Sequence, residues 1–182
     1  MRVIAGKAKG HTLRVPKSGV RPTSERVRES IFNRLTASQI DWESTKVLDL
    51  FAGSGAFAIE ALSRGATTAC AIEKDTSTTL LILDNATRAK LPIEVIPGDV
   101  TKVMSTRLAG IYNLVFIDPP YEFPNTELTG ILLELKLLGK LEPHGICIVE
   151  RSSRTEDFLV PAGFELDDVR NYGDTRVFSL VW

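Results

Sequence analysis

From Lys46 onward, apolar residues fall into short unbroken runs separated by longer amphipathic stretches. The runs predict strands at 46–50, 68–72, 92–96, 112–117 and 143–149, with a further strand at 175–182. Helical periodicity fills the intervals at about 54–64, 75–89, 100–108 and 125–138. Continuous apolar strands alternating with helices imply a mostly parallel sheet covered on both faces, an α/β fold. Right-handed crossovers place the loops that follow the strand carboxyl ends on one edge, where such sheets bind ligands.

Ahead of Lys46 the pattern differs. Segments 2–6 and 11–15 each read as a short strand, joined through Gly6-Lys7-Ala8-Lys9-Gly10, whose glycines can take positive φ. A β-hairpin is expected there. Arg21-Pro22-Thr23-Ser24 then leads into a helix that Ser24 or Thr23 can cap, with Glu25 in its first turn and Val27, Ile31 and Leu35 on one face. The expected organisation is a hairpin extension over 1–20 and one α/β domain over 21–182.

Composition narrows the class without naming a function. A chain of 182 residues with 43% hydrophobic and 25% charged residues is ordinary for a single globular domain. No apolar run reaches the length of a membrane span, and Met1-Arg2-Val3-Ile4-Ala5-Gly6 lacks a secretory apolar stretch, so a cytoplasmic protein is expected. Cys70 and Cys147 lie inside strand-like runs and read as buried, reduced thiols. With His11 and His144 besides, no cluster has metal-ligand spacing, and no metal is expected. The formal charge of −1 hides an asymmetry: residues 1–24 hold Arg2, Lys7, Lys9, Arg14, Lys17 and Arg21 and no acid. A basic arm on an acidic body suggests a polyanionic partner held at one end.

Candidate chemistry collects at the predicted strand ends. Val47-Leu48-Asp49-Leu50-Phe51-Ala52-Gly53-Ser54-Gly55 is a strand running into a glycine turn and a helix start. Glycines let the backbone approach a ligand, and the helix start offers free N–H groups. Glu73 ends the second strand, where a carboxylate can accept from both hydroxyls of a ribose; Lys74 follows it. These features suit a nicotinamide dinucleotide and S-adenosylmethionine alike. Gly98-Asp99-Val100 ends the third strand, where Asp99 can accept from an adenine amine or cap the next helix.

The fourth strand runs into Asp118-Pro119-Pro120-Tyr121. Asp-Pro-Pro would arise by chance in roughly 2% of chains this long, so its place in line with the glycine turn is hard to credit to accident. The residue types suit methylation of an exocyclic amine on a base. Such an amine is a poor nucleophile because its lone pair is delocalised into the ring. The Asp118 carboxylate and the Pro119 carbonyl can accept its hydrogens from outside the ring plane, which favours a pyramidal nitrogen. Prolines fix φ, so the carbonyl is in place before substrate arrives. Tyr121 offers a face for base stacking, worth about 1–3 kcal/mol.

Taken together the sequence resembles the RsmD family of 16S rRNA guanine-N2 methyltransferases over nearly its whole length. The likeness is carried by Arg2-Val3-Ile4-Ala5-Gly6 with Lys9-Gly10 and Leu13; Arg21-Pro22-Thr23 with Arg26-Val27-Arg28-Glu29 and Phe32-Asn33; Leu48 to Gly55 with Glu60-Ala61-Leu62-Ser63-Arg64-Gly65-Ala66; Asp118 to Tyr121; and Tyr172-Gly173-Asp174-Thr175. The resemblance implies a Rossmann-like class I methyltransferase sheet of seven strands with the last antiparallel, preceded by the hairpin. It implies S-adenosylmethionine bound by Asp49, Phe51, Ala52, Gly53, Ser54, Gly55, Glu73, Lys74, Asp99 and Val100. Thr23 and Arg28 are expected at the methionine carboxylate, although Arg28 could equally pair with Glu25 or Glu29 on its own helix. The implied substrate is 16S rRNA within an assembled or assembling small ribosomal subunit, and the enzyme is expected to be a monomer. His11 departs from the family, which more usually has Lys or Arg after Lys9-Gly10.

The hairpin and its continuation supply the expected RNA contacts: Arg2, Lys7, Lys9, His11, Arg14, Lys17 and Arg21. A target base must be single-stranded or flipped out to reach the pocket. Asp-Pro-Pro-Tyr is shared with DNA adenine methyltransferases, but no stretch is long enough for the added target-recognition domain those enzymes usually need. A catalytically silent RNA-binding assembly factor would explain the hairpin and leave the amine motif without a purpose. An oxidoreductase would leave Asp118 to Tyr121 unexplained.

Overall fold

Each apolar run after Lys46 forms a strand in the computed structural model, which describes residues 1–16 and 24–182. In chain order the elements are α1 (Glu25–Ala37), β1 (Lys46–Asp49), α2 (Ala56–Arg64), β2 (Thr68–Glu73), α3 (Thr76–Ala89), β3 (Glu94–Pro97), α4 (Val100–Thr106), β4 (Tyr112–Ile117), α5 (Asn125–Leu137), β5 (Leu141–Ser152), β6 (Glu165–Tyr172) and β7 (Thr175–Val181). The expected boundaries hold to within three residues. α2 starts at Ala56 instead of 54, because the residues before it form the glycine turn. The seven-stranded sheet has the order β3-β2-β1-β4-β5-β7-β6, with β7 antiparallel to both neighbours.

β6 was absent from the strands read out of the hydrophobic pattern. Its sequence, Glu165-Leu166-Asp167-Asp168-Val169-Arg170-Asn171-Tyr172, is largely exposed and pairs with β7 alone. A sheet edge needs no apolar run, and charges there discourage pairing with another chain.

Alternation along the strands divides the core. Val47, Leu114, Phe116, Ile148 and Val177 face α1 and α2, while Leu48, Leu50, Val115, Ile117, Val149 and Leu180 face α4 and α5. Cys70 and Cys147 are buried and unpaired. Helix α1 begins where expected, with Ser24 Oγ accepting from Val27 N at 3.2 Å. It lays Phe32 against Phe57 and Phe116, the ring centroids 6.2 and 5.5 Å apart.

The amino-terminal arm turns back and pairs antiparallel as the hairpin expectation has it, but over a shorter stretch than 2–6 and 11–15. A single antiparallel bridge pairs Arg2 with Thr12, supported by Val3 N to His11 O and Leu13 N to Met1 O. Two extended strands do not form because other elements take the donors. Ile4 N and Ala5 N donate to the Glu60 carboxylate at 2.7 and 3.0 Å, Lys7 N donates to Ser63 O, and Ala8 N to Ser63 Oγ. Arg14 N donates to Asn85 Oδ1 on α3. Val3, Ala8 and Leu13 are buried in the same core as α1 and α2.

Candidate active site

The strand order reverses between β1 and β4, and the two chemical loops leave the sheet there. Leu50 N donates to Phe116 O on the β4 side, and Ala52 N donates to Ile72 O on the β2 side, so the chain crosses the gap between strands. Gly53 and Gly55 then take φ of 53° and 76°. At Gly55 a Cβ would lie 2.8 Å from Ile82 Cγ2, so the turn needs a residue without a side chain. Gly55 occupies the N-cap of α2 and contributes no side-chain cap; the Ala58 N–H of the first turn is taken instead by the Asp49 carboxylate at the sheet edge. Ser54 is buried, its carbonyl accepting from Asn85 Nδ2 at 3.0 Å. Phe51 meets Phe123 edge-on with centroids 5.2 Å apart, which joins the glycine turn to the loop after β4.

Carboxylates line this edge. Asp49, at 1% exposure, accepts from Ala58 N through Oδ2, and its Oδ1 has no hydrogen-bond partner. Burial pushes its carboxyl up to about 7; the Ala58 N–H works against this, and the charges of Asp118 and Glu73 add to it. An unpaired, buried carboxylate oxygen fits a cationic ligand group such as an α-ammonium. Glu73 accepts from Gly53 N and Asp75 N, each at 2.9 Å, one on each oxygen. The remaining lone pairs suit paired hydroxyls. Asp99 occupies the N-cap position of α4 without a side-chain cap bond; it accepts from Thr101 Oγ1 at 2.7 Å and lies 3.7 Å from Lys74 Nζ. Val100 is buried at the start of α4.

The loop after β4 stands opposite. Asp118 is half-buried, Pro119 buried, and Pro120 and Tyr121 exposed. Phe123 N donates to Pro120 O at 2.9 Å, closing a turn, and Leu128 N donates to Pro124 O at the start of α5. Arg151, near the end of β5, was not anticipated. It is 4% exposed; Nη2 donates to Phe123 O at 2.8 Å and to Asn125 Oδ1 at 3.0 Å, and Nη1 donates to Pro120 O at 3.4 Å. Burial lowers its pKa and the charge of Asp118 raises it. The available signal was positional, an arginine two residues past the apolar run of the strand beside Asp118.

A family model described as Conserved hypothetical protein 95 matches residues 1–181. Ribosomal RNA small subunit methyltransferase D of Escherichia coli strain K12 is 36% identical over 173 residues, covering 91% of this chain and 82% of that protein. The chain belongs to the RsmD family. The solved structure of yhhF from Escherichia coli superimposes with a TM-score of 0.85 at 31% identity, covering 100% of this chain and 97% of that one. An RNA methyltransferase from Salinibacter ruber, solved with S-adenosyl-L-homocysteine, shares the fold at a TM-score of 0.64 and 21% identity, covering 88% of this chain and 93% of that one.

In this RsmD-family chain the other expected site residues are distributed along the arm and α1. Lys7, Lys9 and His11 are exposed on the arm's turn. Arg2 is exposed, with its backbone N–H donating to Glu25 Oε1. Arg14 reaches Asp84 on α3 at 3.0 Å, so its charge is partly spent within the molecule. Arg28 pairs with neither Glu25 nor Glu29. It is fully buried and donates to the carbonyl of Arg2, while its Nε and Nη1 have no partner. Lys17, Arg21 and Thr23 lie outside the described residues. The socket for the arm is Glu60 and Ser63 on α2; its signal in the sequence is two polar residues inside an apolar helix. Among the described residues, no group of His, Cys, Asp and Glu is arranged to hold a metal ion, and no helix is long and apolar enough to cross a membrane.

Proposed function

We propose that this chain transfers a methyl group from S-adenosylmethionine to the exocyclic N2 of a guanine in 16S rRNA of the small ribosomal subunit, acting as a cytoplasmic monomer. The observation that carries the reading is the meeting of two loops where the sheet order reverses: the glycine turn after β1 and Asp118-Pro119-Pro120-Tyr121 after β4. The name of the Escherichia coli relative and the ligand of the Salinibacter structure support it.

When bound, S-adenosylmethionine supplies an electrophilic methyl group on a sulfonium. Asp49 would hold the ammonium through its buried, unpartnered Oδ1, and Arg28 and Thr23 the carboxylate. Glu73 would accept from the ribose hydroxyls, and Asp99, beside Val100 and Lys74, from the adenine amine. Asp118 and the Pro119 carbonyl accept the two hydrogens of the target amine and favour a pyramidal nitrogen whose lone pair faces the methyl. As the N–C bond forms and the S–C bond breaks, the nitrogen becomes cationic and its proton then passes to the Asp118 carboxylate and on to water, so no strong base is needed beforehand. Tyr121, 39% exposed, carries the stacked base.

The test is methyl incorporation from labelled S-adenosylmethionine into unmethylated small subunits, naked 16S rRNA and DNA, with the labelled nucleoside identified by mass. N2-methylguanosine from subunits or rRNA is the expected product; N6-methyladenine in DNA would overturn the substrate assignment.

A further inference from the structure

The loop that would activate the amine has an unusual weakness. It contains Pro119, Pro120 and Pro124, so three of its residues have no N–H with which to anchor themselves. Its Pro120–Phe123 turn is closed by one backbone hydrogen bond. The Pro119 carbonyl must nonetheless point in a fixed direction for its acceptor role to contribute to catalysis. Another part of the fold has to supply the missing donors.

We infer that Arg151 is a positioning residue for methyl transfer: its buried guanidinium spans the Pro120–Phe123 turn and the start of α5, and so fixes the Pro119 carbonyl and the Tyr121 ring relative to the target amine. This rests on the reading of Asp118 to Tyr121 as the methyl-transfer loop. The guanidinium reaches the first and last carbonyls of the turn and the Asn125 side chain, across both ends of the segment that needs holding. A planar fork of five N–H donors suits several acceptors at once, whereas a lysine ammonium is a compact point charge.

The anchor itself is well held. β5 is paired on both sides, with Val149 opposite Ile117 of β4 and Arg151 opposite Arg176 of β7. Past the strand, Ser153 N donates to Asp174 O at 2.9 Å, Ser153 Oγ to Gly173 O at 3.2 Å, and Arg154 reaches the Asp174 carboxylate at 3.1 Å. Tyr172 shares a 2.6 Å hydrogen bond with Ser30 on α1. The Tyr172-Gly173-Asp174-Thr175 turn thus acquires a role: it ties the end of β5 to α1 and steadies the strand from which Arg151 projects.

The experiment compares Arg151→Met and Arg151→Lys with wild type in three readouts: kcat on unmethylated small subunits, S-adenosylmethionine affinity by calorimetry, and amide exchange of Tyr121, Glu122 and Phe123. Because a misplacement of about 1 Å can cost about 100-fold, Arg151→Met is expected to lower kcat on the order of 10- to 100-fold. Cofactor affinity should stay within about twofold, since the affected contacts lie in the loop. The loop amides should exchange faster, and Arg151→Lys should recover part of the rate. Unchanged kcat and unchanged exchange in Arg151→Met would overturn the inference, as would equal loss of activity, cofactor affinity and thermal stability in both variants. Wild type that binds cofactor but methylates nothing, with exchange still faster in Arg151→Met, would retire the methyltransferase reading and keep the brace.

Discussion

A carboxylate buried as completely as Asp49 is costly to ionise unless something compensates, and one of its oxygens has no partner. Its carboxyl ordinarily titrates near 3.8 and in the fold is pushed up to about 7, so between those values the native state binds a proton that the unfolded chain has released. Its contribution to stability therefore falls as pH rises from about 4 to about 7 and is level above that. Asp49→Asn should remove this dependence and raise the melting temperature at pH 8 relative to wild type, more than at pH 5; scanning calorimetry reads the difference. Cofactor binding should run the other way. An ammonium favours ionised Asp49, so wild-type affinity is expected to weaken below about pH 7. Asp49→Asn should bind about tenfold more weakly at pH 8, the loss of roughly one charged hydrogen bond, and show little pH dependence. Equal affinities of the two proteins at pH 8 would separate Asp49 from the ligand. The same residue shows what could be read from sequence. Its place before the glycine turn was legible; its unpartnered oxygen and raised pKa were not, because both come from burial in the folded chain, with the charges of Asp118 and Glu73 adding to the shift.

At the scale of elements, the arm behaves as a part of the core. Gly6 sits so close to α2 that a Cβ would lie 1.8 Å from Ser63 O, and its φ of 79° disfavours other residues. Glu60 is fully buried and takes two arm N–H groups together with Arg64 Nε at 2.8 Å. Glu60→Ala would leave those donors without a partner, at a cost of about 1–3 kcal/mol for a buried unsatisfied group. At about 2–4 °C per kcal/mol for a chain of this size, the melting temperature should fall roughly 5 °C. Proteolysis within residues 1–16 should accelerate, and RNA affinity should drop while cofactor affinity holds; unchanged proteolysis would show that the arm does not depend on Glu60. The parallel strands and their helices were legible because burial on both faces leaves unbroken apolar runs in the chain. β6 was not, because it is exposed along nearly its whole length and carries no apolar run, whereas β3 at the other edge keeps Ile96 buried. The antiparallel pairing of the arm was legible and its shortness was not: alternation along 2–6 and 11–15 records which side chains are buried, and says nothing of whether a neighbouring strand or a helix takes the backbone donors. Arg151 escaped notice because its acceptors are backbone carbonyls far along the chain, to which no sequence pattern points.

Across the whole molecule, charge is divided: exposed Lys7 and Lys9 stand on the arm, while Asp49, Glu73, Asp99 and Asp118 stand at or just past the carboxyl ends of β1, β2, β3 and β4. That division fits a partner gripped by its phosphates on one side while a neutral base enters an acidic pocket. Each phosphate contact to single-stranded RNA adds about 0.7 to the log–log salt slope, so substituting both Lys7→Glu and Lys9→Glu should reduce the slope by about 1.4. An unaltered slope would place the RNA elsewhere on the surface. In the proposed reaction the loop after β4 activates a guanine amine beside the glycine turn. The most direct test is single-turnover methyl transfer to unmethylated small subunits by wild type and Asp118→Asn, each saturated with S-adenosylmethionine. N2-methylguanosine is expected in both, formed roughly 100- to 1,000-fold more slowly by the variant, with cofactor affinity unchanged. A variant that forms it at the wild-type rate, or a wild type whose label sits on another nucleoside, would contradict the account.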